Sequence, residues 1–205
     1  MNIFLIGIQG CGKGTLVEGL KQHFDFNLIS VGQLLREEVA TGSDLGKKID
    51  KLISAGNLVD IDTVMKTMSK KLKSLKHDIT IFDGFPRNSE QAKEIDKILN
   101  VDMVFHLVLS KDRAIERLLN RLTCEKCGHI TKKQLVDSDV CPVCGGKLIT
   151  RTDDTIESIE KRFKIYEKET YPLLERYSSR VVEINADAEP DEVLAKAVRI
   201  IHDYN

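Results

Sequence analysis

The sequence predicts an α/β fold, in which a doubly wound parallel sheet of five strands has helices on both faces and two inserted subdomains. Short apolar runs alternate with helical patterns, and runs without polar alternation are typical of strands that are buried on both faces. A glycine-rich loop directly after the first run predicts a phosphate-binding site at one edge of the sheet. Two Cys-x-x-Cys pairs in a stretch with few apolar residues predict an insertion outside the sheet that is held together by a metal ion.

Length and charge restrict the classes of protein to consider. A chain of 205 residues can bury a good core in one domain and still carry insertions. Its 31 basic and 32 acidic residues give a net charge of −1, which does not favour a nucleic-acid or anionic-membrane partner. The sequence shows no signal peptide and no run of 18 apolar residues. We therefore expect a cytoplasmic protein with neither kind of partner.

The first strand, residues 3–6, leads into a candidate P-loop at residues 7–15, and a helical pattern follows. Four glycines allow successive N–H groups to turn inward, and Lys13 would reach the β- and γ-phosphates of a nucleotide. The loop departs from the strict pattern G-x-x-x-x-G-K-[ST], because Gly14 follows the lysine and the hydroxyl comes one residue later, at Thr15. We therefore do not expect Thr15 to hold magnesium directly. The alternative is a glycine-rich turn that binds no ligand, in which Lys13 would have no evident structural role.

Four further apolar runs predict the remaining strands of the sheet: residues 27–29, 79–83, 104–109 and 181–184. After the second strand, Ser30 and Gln33 have the spacing of a capping box at the start of a helix. A second helix follows and ends at the candidate C-cap Gly56. Residues 30–59 thus form a helical hairpin that is inserted between two strands. Arg36 lies on its first helix, where a solvated surface arginine is the alternative to a ligand-binding one.

Helical periodicity predicts further helices over residues 60–76, 88–99 and 155–177. In the long helix we expect Ile156, Ile159, Phe163 and Tyr166 to face inward. Pro172 should break or kink this helix. Pro190 should begin the last helix, because proline is favoured at the first helical position.

Asp83 ends the third strand, at the edge where open parallel sheets place their ligands. A carboxylate at this point could handle magnesium or the water bound to it. The alternative is that Asp83 caps a helix.

Ser110 should cap the helix after the fourth strand, and arginines follow at positions 113, 117 and 121. The i, i+4, i+8 spacing predicts that the three arginines share one helix face. Arginine suits the bidentate binding of phosphate oxygens. We assign Arg117 and Arg121 to phosphate binding and expect Arg113 to be solvated.

Four cysteines follow as two knuckles, Cys124 with Cys127 and Cys141 with Cys144, with thirteen residues between them. Four thiolates at this spacing suit tetrahedral zinc, and a closed four-cysteine site is structural. Two disulfides or an iron–sulfur cluster are the alternatives.

Several motifs in chain order resemble those of the adenylate kinase family, in its long form with a zinc-bearing lid. They are residues 7–15, Gly32-Gln33-Leu34-Leu35-Arg36, Asp83-Gly84-Phe85-Pro86-Arg87 with Gln91, Arg117 with Arg121, the four cysteines, and Arg151-x-Asp153-Asp154 with Arg162. The resemblance covers essentially the whole chain. It implies reversible, magnesium-dependent phosphoryl transfer, ATP + AMP giving two ADP, by a monomer that binds nucleotides and carries a structural zinc. It also implies three parts of the chain: a core of residues 1–29, 60–121 and 155–205, a monophosphate-binding domain of residues 30–59, and a zinc lid of residues 122–154.

By motif position, the resemblance also implies the role of each site residue. The catalytic residues would be Lys13, Arg87, Arg121, Arg151 and Arg162. ATP would be bound by Gly10, Cys11, Gly12, Lys13, Gly14, Thr15, Arg117, Arg121 and Ala188. AMP would be bound by Val31, Arg36, Asn57, Leu58, Val59, Gly84, Phe85, Pro86, Arg87, Gln91, Arg151 and Arg162. Asp83, Asp153 and Asp154 would orient magnesium-bound water or the closed lid.

Some residues depart from the family pattern, so that an acceptor nucleotide other than AMP remains an alternative. Val31 stands where the family usually has threonine, Gln33 where it usually has aspartate, and Thr131 where a lid tyrosine is common. The same chemistry on UMP or CMP is therefore the second hypothesis. A zinc-ribbon protein that binds nucleic acid is a third, but Lys132 and Lys133 are the only basic pair in the ribbon. A GTPase is disfavoured, because the chain has no N-K-x-D sequence.

Overall fold

The structure is a computed structural model and describes residues 1–204, so that Asn205, the last residue of the predicted core, lies outside the described part. The strands are β1 (Asn2–Ile6), β2 (Asn27–Ser30), β3 (Thr80–Asp83), β4 (Met103–Val108), β5 (Arg121–Cys124), β6 (Ile130–Lys132), β7 (Leu148–Ile149) and β8 (Val181–Asn185). Five of them form a parallel sheet in the order β2-β3-β1-β4-β8. The predicted five-stranded parallel sheet is confirmed.

The α-helices are α1 (Lys13–Leu20), α2 (Val31–Ala40), α3 (Asp44–Ser54), α4 (Ile61–Leu72), α5 (Ser89–Asp96), α6 (Lys111–Leu119), α7 (Ile156–Ile165), α8 (Leu173–Arg176) and α9 (Pro190–Tyr204). The predicted cap of α6 is confirmed, since the Ser110 side chain accepts a hydrogen bond from the N–H of Arg113. Pro190 begins the last helix, as predicted. Helix α4 ends four residues before the predicted boundary at residue 76.

The sheet is the centre of the core, and β1 is its middle strand. Phe4 on β1 is fully buried, with its ring centroid 5.1 Å from that of Phe82 on β3. Leu5 lies opposite Asp83 in the parallel register, and Ser30 lies opposite Asp83 on the other side. The register therefore brings the loops after β1, β2 and β3 to the same edge of the sheet.

The stretch 155–177 is not one long helix. Helix α7 is followed by a π-helical segment, Tyr166–Thr170, and then by the short α8. Pro172 has no N–H to continue the α-helical hydrogen bonds, so the predicted break near it is confirmed. The expectation that Ile156 faces inward is wrong, because this residue opens α7 and is 59% exposed.

Two local predictions are corrected by the structure. Ser30 precedes α2, but its side chain makes no capping hydrogen bond; its hydroxyl donates instead to the Asp83 carboxylate (3.2 Å), which the parallel register places opposite. Arg121 does not share a helix face with Arg113 and Arg117. Helix α6 ends at Leu119, and Arg121 begins β5, where it pairs with Lys132 in an antiparallel register.

The cysteine-bearing stretch forms its own antiparallel sheet in the order β6-β5-β7. Its apolar cluster is small and consists of buried Leu122, Cys124, Cys141 and Leu148. A cluster of this size buries little surface, so the stretch needs a further constraint to stay folded. Among residues 1–204, no helix is both long and apolar enough to cross a lipid bilayer.

Candidate active site

The loop between β1 and α1 has the backbone of an anion cradle. Gly10 and Gly12 have positive φ angles of 85° and 96°, and the Cys11 N–H donates to the Ile8 carbonyl across a tight turn (3.2 Å). A Cβ atom at Gly10 would lie 2.8 Å from the carbonyl oxygen of Ala114, so only glycine fits there. The N-terminus of α1 follows immediately, and its free N–H groups favour a bound anion.

Lys13 is held against this loop. Its ammonium group donates to the carbonyl oxygens of Gly7 (2.7 Å) and Ile8 (3.2 Å), and Nζ lies 3.4 Å from the Cys11 sulfur. Carbonyl groups carry only partial negative charge, so a phosphate would be the stronger partner for this cation. Thr15, in the first turn of α1, is exposed.

Five arginines from separate parts of the chain converge with three aspartates beside the sheet edge: Arg36, Arg87, Arg121, Arg151 and Arg162, with Asp83, Asp153 and Asp154. Arg121 donates two hydrogen bonds to Asp154, at 3.0 and 2.6 Å. Arg162 donates to the Asp153 carboxylate at 2.8 Å and to Asp154 at 3.3 Å. Both carboxylates are 7% exposed, so these ion pairs are largely shielded from water.

The cluster holds five positive and three negative groups, and both burial and like charges lower the pKa values of its arginines. Burial is the main cause that lowers the pKa of Arg36, and the same holds for Arg87. Burial, together with the like charges of Arg121 and Arg36, lowers the pKa of Arg151 to about 9. A solvated surface arginine, the alternative for Arg36, would not show this shift. Bound phosphate would offset the excess charge.

The residue Arg87 is fixed by its surroundings. Its N–H donates to the side-chain oxygen of Gln91 (2.8 Å), and its Nε donates to the Gly84 carbonyl (2.8 Å). Asn88, rather than Asp83, caps the following helix α5, so the alternative of Asp83 as a helix cap is not what the structure shows. Gln91 is 3% exposed, and its side-chain oxygen is engaged by Arg87.

The other residues that we expected to bind the monophosphate differ in burial. Val31, Val59, Phe85 and Pro86 are buried, so Phe85 and Pro86, which are joined by a cis peptide bond, can offer a ligand little more than backbone. Asn57 and Leu58 are half-buried and follow Gly56 at the end of α3. A Cβ at Gly56 would lie 3.1 Å from both the carbonyl oxygen and the hydroxyl of Ser158, so this helix end sits directly on α7.

Arg117 lies apart from the five clustered arginines. Its guanidinium donates to the Ala186 carbonyl (2.9 Å), in the loop after β8 that also contains Ala188. Arg113, which we expected to be solvated, is exposed but ion-paired with Asp187 (3.0 Å).

The four predicted metal ligands come together. The sulfurs of Cys124, Cys127, Cys141 and Cys144 all lie within 4.8 Å of one another. The Cys124–Cys144 and Cys127–Cys141 sulfurs are 3.5 and 3.7 Å apart, close to the ~3.8 Å expected between thiolates around one tetrahedral zinc. All four are free cysteines, so the disulfide alternative is wrong. Backbone N–H groups, chiefly that of Cys127, lower the pKa of Cys124 to about 6, whereas the nearby sulfurs, that of Cys144 first, raise the pKa of Cys127, so that Cys124 is the readier of the two to form the thiolate that binds metal.

The sequence reasoning missed three supporting hydroxyl groups. Ser30 donates to Asp83 (3.2 Å), the Thr123 hydroxyl accepts from Arg151 (2.9 Å), and Thr170 donates to the Arg87 carbonyl (2.7 Å). The partners lie 53, 28 and 83 residues apart in the chain. No local sequence pattern predicts these three hydrogen bonds. Knowledge that β2 lies beside β3 would have predicted the one between Ser30 and Asp83.

A family sequence model and individual known proteins both match this chain, and they agree on one family. The sequence model of the adenylate kinase family matches residues 5–182. An adenylate kinase of Borrelia garinii subsp. bavariensis is 36% identical over 211 residues, covering 98% of this chain and 98% of the relative. An adenylate kinase of Pseudothermotoga lettingae is 37% identical over 202 residues, covering 93% and 92%. One of Thermosipho africanus is 35% identical over 215 residues, covering 98% and 99%.

Proposed function

The chain belongs to the adenylate kinase family and is therefore a nucleoside monophosphate kinase, and we propose that its candidate active site transfers a phosphoryl group from ATP to AMP, giving two ADP. The observation that carries the proposal is the cluster of five arginines beside the P-loop edge of the sheet. The relatives quoted above are named adenylate kinases, and none of the comparisons favours UMP or CMP as the acceptor.

On the acceptor side, Arg36 and Arg87 hold the phosphate of AMP. Both arginines are half-buried, and partial removal from water strengthens their attraction for an anion. Gln91 contacts the base through its amide nitrogen, because its oxygen already accepts from the Arg87 N–H. The acceptor phosphate oxygen is itself anionic, so the reaction needs no general base.

On the donor side, the P-loop amides and Lys13 hold the phosphates of ATP. Lys13 exchanges its contacts with the Gly7 and Ile8 carbonyls for the phosphate oxygens. Arg117 and the backbone near Ala188 line the adenosine side, an assignment supported by the hydrogen bond from Arg117 to Ala186.

Between the two nucleotides, Arg121, Arg151 and Arg162 stabilise the charge on the transferring group. Arg121 and Arg162 are held by Asp154 and Asp153, so their geometry is set before the substrates bind. Fixed positive groups in a shielded site stabilise a phosphoryl-transfer transition state without reorganisation.

The carboxylate set fits a magnesium ion that arrives with ATP. Asp83 ends β3 at the edge of the sheet where ligands bind. Its carboxylate accepts one hydrogen bond, from the Ser30 hydroxyl, so its other lone pairs can bind a metal or metal-bound water. Asp153 and Asp154 are committed to arginines, so we assign them to holding those arginines. When bound, magnesium neutralises phosphate charge.

The four cysteines fit a zinc ion, because four sulfurs surround one point with no other protein ligand required. Zinc would join β5 to the segment before β7 and thereby supply the constraint that the small apolar cluster lacks. The site is structural and takes no part in phosphoryl transfer.

We further infer that residues 30–59 and 122–154 close over the site and exclude water, which competes with AMP as acceptor. Two contacts support this. Gly56 of the first segment abuts Ser158 on α7. Ile130 of the second lies over the P-loop, since a Cβ at Gly14 would be 3.1 Å from its Cδ1 atom.

Replacing Lys13 tests the proposal. Lys13→Ala should lower kcat for ADP formation from Mg-ATP and AMP by about 10²- to 10³-fold, as expected when one preorganised charged donor is lost. Lys21→Ala is the matched control, because this exposed lysine at the end of the same helix forms a surface ion pair with Glu18, away from the loop. Circular dichroism should show both variants folded. Retained turnover in Lys13→Ala would remove this residue from the mechanism.

A further inference from the structure

The π-helical segment Tyr166–Thr170 is an irregularity that the mechanism above does not use. The N–H of Tyr171 donates to the carbonyl of Tyr166 (2.8 Å), five residues earlier, where an α-helix would use the fourth. Such turns are rare and are often found at functional sites. Tyr166 and Thr170, the first and last residues of the segment, are each 8% exposed and point into the protein.

Thr170 makes a long-range contact from this segment. Its hydroxyl donates to the backbone carbonyl of Arg87 at 2.7 Å. The other hydrogen bonds that fix Arg87, which it donates to Gln91 and to Gly84, involve residues within four positions of it. Of the hydrogen bonds that Arg87 makes to other described residues, that of Thr170 joins it to the C-terminal half of the chain.

The π-helical segment is itself anchored to the sheet. The Tyr166 hydroxyl lies 3.3 Å from Nε2 of His106 on β4, and Nδ1 of the same ring lies 3.3 Å from a carboxylate oxygen of Glu183 on β8. His106 is 6% exposed, so its ring lies inside the protein. The Tyr166 hydroxyl thus joins the segment that carries Thr170 to strand β4 of the sheet.

We propose that Thr170 is a positioning residue for the acceptor nucleotide, acting through the backbone of Arg87. The proposal rests on the proposed function, in which Arg87 holds the AMP phosphate. Without the hydroxyl, the Arg87 carbonyl loses its donor, and the loop shifts to regain one from water. A small displacement of a substrate-positioning arginine lowers the rate of transfer, whereas the P-loop and its ATP contacts stay in place.

The test compares Thr170→Val, which keeps the shape and removes the hydroxyl, with Thr170→Ser, which keeps the hydroxyl. Initial rates are measured with AMP varied at saturating Mg-ATP, and with Mg-ATP varied at saturating AMP. We expect Thr170→Val to lower kcat/KM for AMP about tenfold, the effect of one lost hydrogen bond, while KM for ATP changes less than about twofold. Thr170→Ser should restore kcat/KM for AMP.

Tyr177→Phe is the control for a general loss of stability. It removes another largely buried hydroxyl, which donates to Asp96 (2.9 Å) and does not touch Arg87. This variant should keep the wild-type ratio of AMP to ATP constants. If Thr170→Val does not fold, Thr170→Ala removes the same hydroxyl without the second methyl group and is measured instead.

Wild-type kinetics in the hydroxyl-free variant, or equal losses for AMP and ATP, would overturn the role of Thr170. Failure of Thr170→Ser to restore kcat/KM would also overturn it. Failure of the proposed function gives a different result, because the wild-type chain would then not phosphorylate AMP.

Discussion

At the scale of single residues, the site depends on charges that are held in place by partners far away in sequence. The family resemblance predicted the five clustered arginines, and the structure brings them together. Helical spacing gave a wrong reason for Arg121, because helix α6 ends before it. Spacing assumes that a helix continues, and the antiparallel pairing of Arg121 with Lys132 decides otherwise.

Two glycines test whether the helical hairpin of residues 30–59 depends on its contact with α7. Gly42 and Gly56 follow α2 and α3 with φ angles of 70° and 69°, so alanine at either should cost about 1–2 kcal/mol in backbone strain. A Cβ at Gly42 would meet nothing within 4 Å, whereas one at Gly56 would press on Ser158. Gly56→Ala should therefore also raise KM for AMP, by roughly threefold or more, because the hairpin is displaced from α7.

Denaturant unfolding and steady-state kinetics on both variants check this prediction. Gly42→Ala is the control, with lowered stability and unchanged KM for AMP. Equal KM values in the two variants would show that the contact between Gly56 and Ser158 does not seat the hairpin.

At the scale of elements, the cysteine-bearing sheet shows what spacing can and cannot predict. The two Cys-x-x-Cys pairs predicted four converging sulfurs, and this is confirmed. Strands β5, β6 and β7 were not predicted, since they are short and contain neither an apolar run nor a clear polar–apolar alternation. The π-helical segment was also missed, because its inward residues keep a spacing that an α-helix would share.

Metal content tests the zinc site at this scale. Wild-type protein should carry about one zinc per chain, and Cys127→Ser should lose most of it, because three thiolates leave the tetrahedron open. Cys11→Ser is the control, since this cysteine lies in the P-loop and should leave zinc binding unchanged. Chelation should also unfold the cysteine-bearing sheet at a lower temperature than the core.

Elemental analysis and calorimetry follow these changes. Full zinc content in Cys127→Ser would remove this residue from the ligand set. A single unchanged melting transition after confirmed metal loss would show that the metal does not hold the sheet together.

At the scale of the whole molecule, the parallel sheet could be predicted because its strands are buried on both faces and read as unbroken apolar runs. The order of those strands could not be predicted, and neither could the contacts that depend on it. The bond from Ser30 to Asp83 needs β2 beside β3, and the bond from Thr170 to Arg87 needs the chain to return after 83 residues. Local propensity carries no information about such pairs.

The central claim is that this chain phosphorylates AMP, and a panel of acceptors tests it most directly. AMP, GMP, UMP and CMP are each incubated with Mg-ATP, and formation of the nucleoside diphosphate is followed over time. The account predicts a kcat/KM for AMP that exceeds those for the other three by about 10²-fold or more, even with valine at position 31. Preferred turnover of UMP or CMP, or no turnover of AMP, would contradict it.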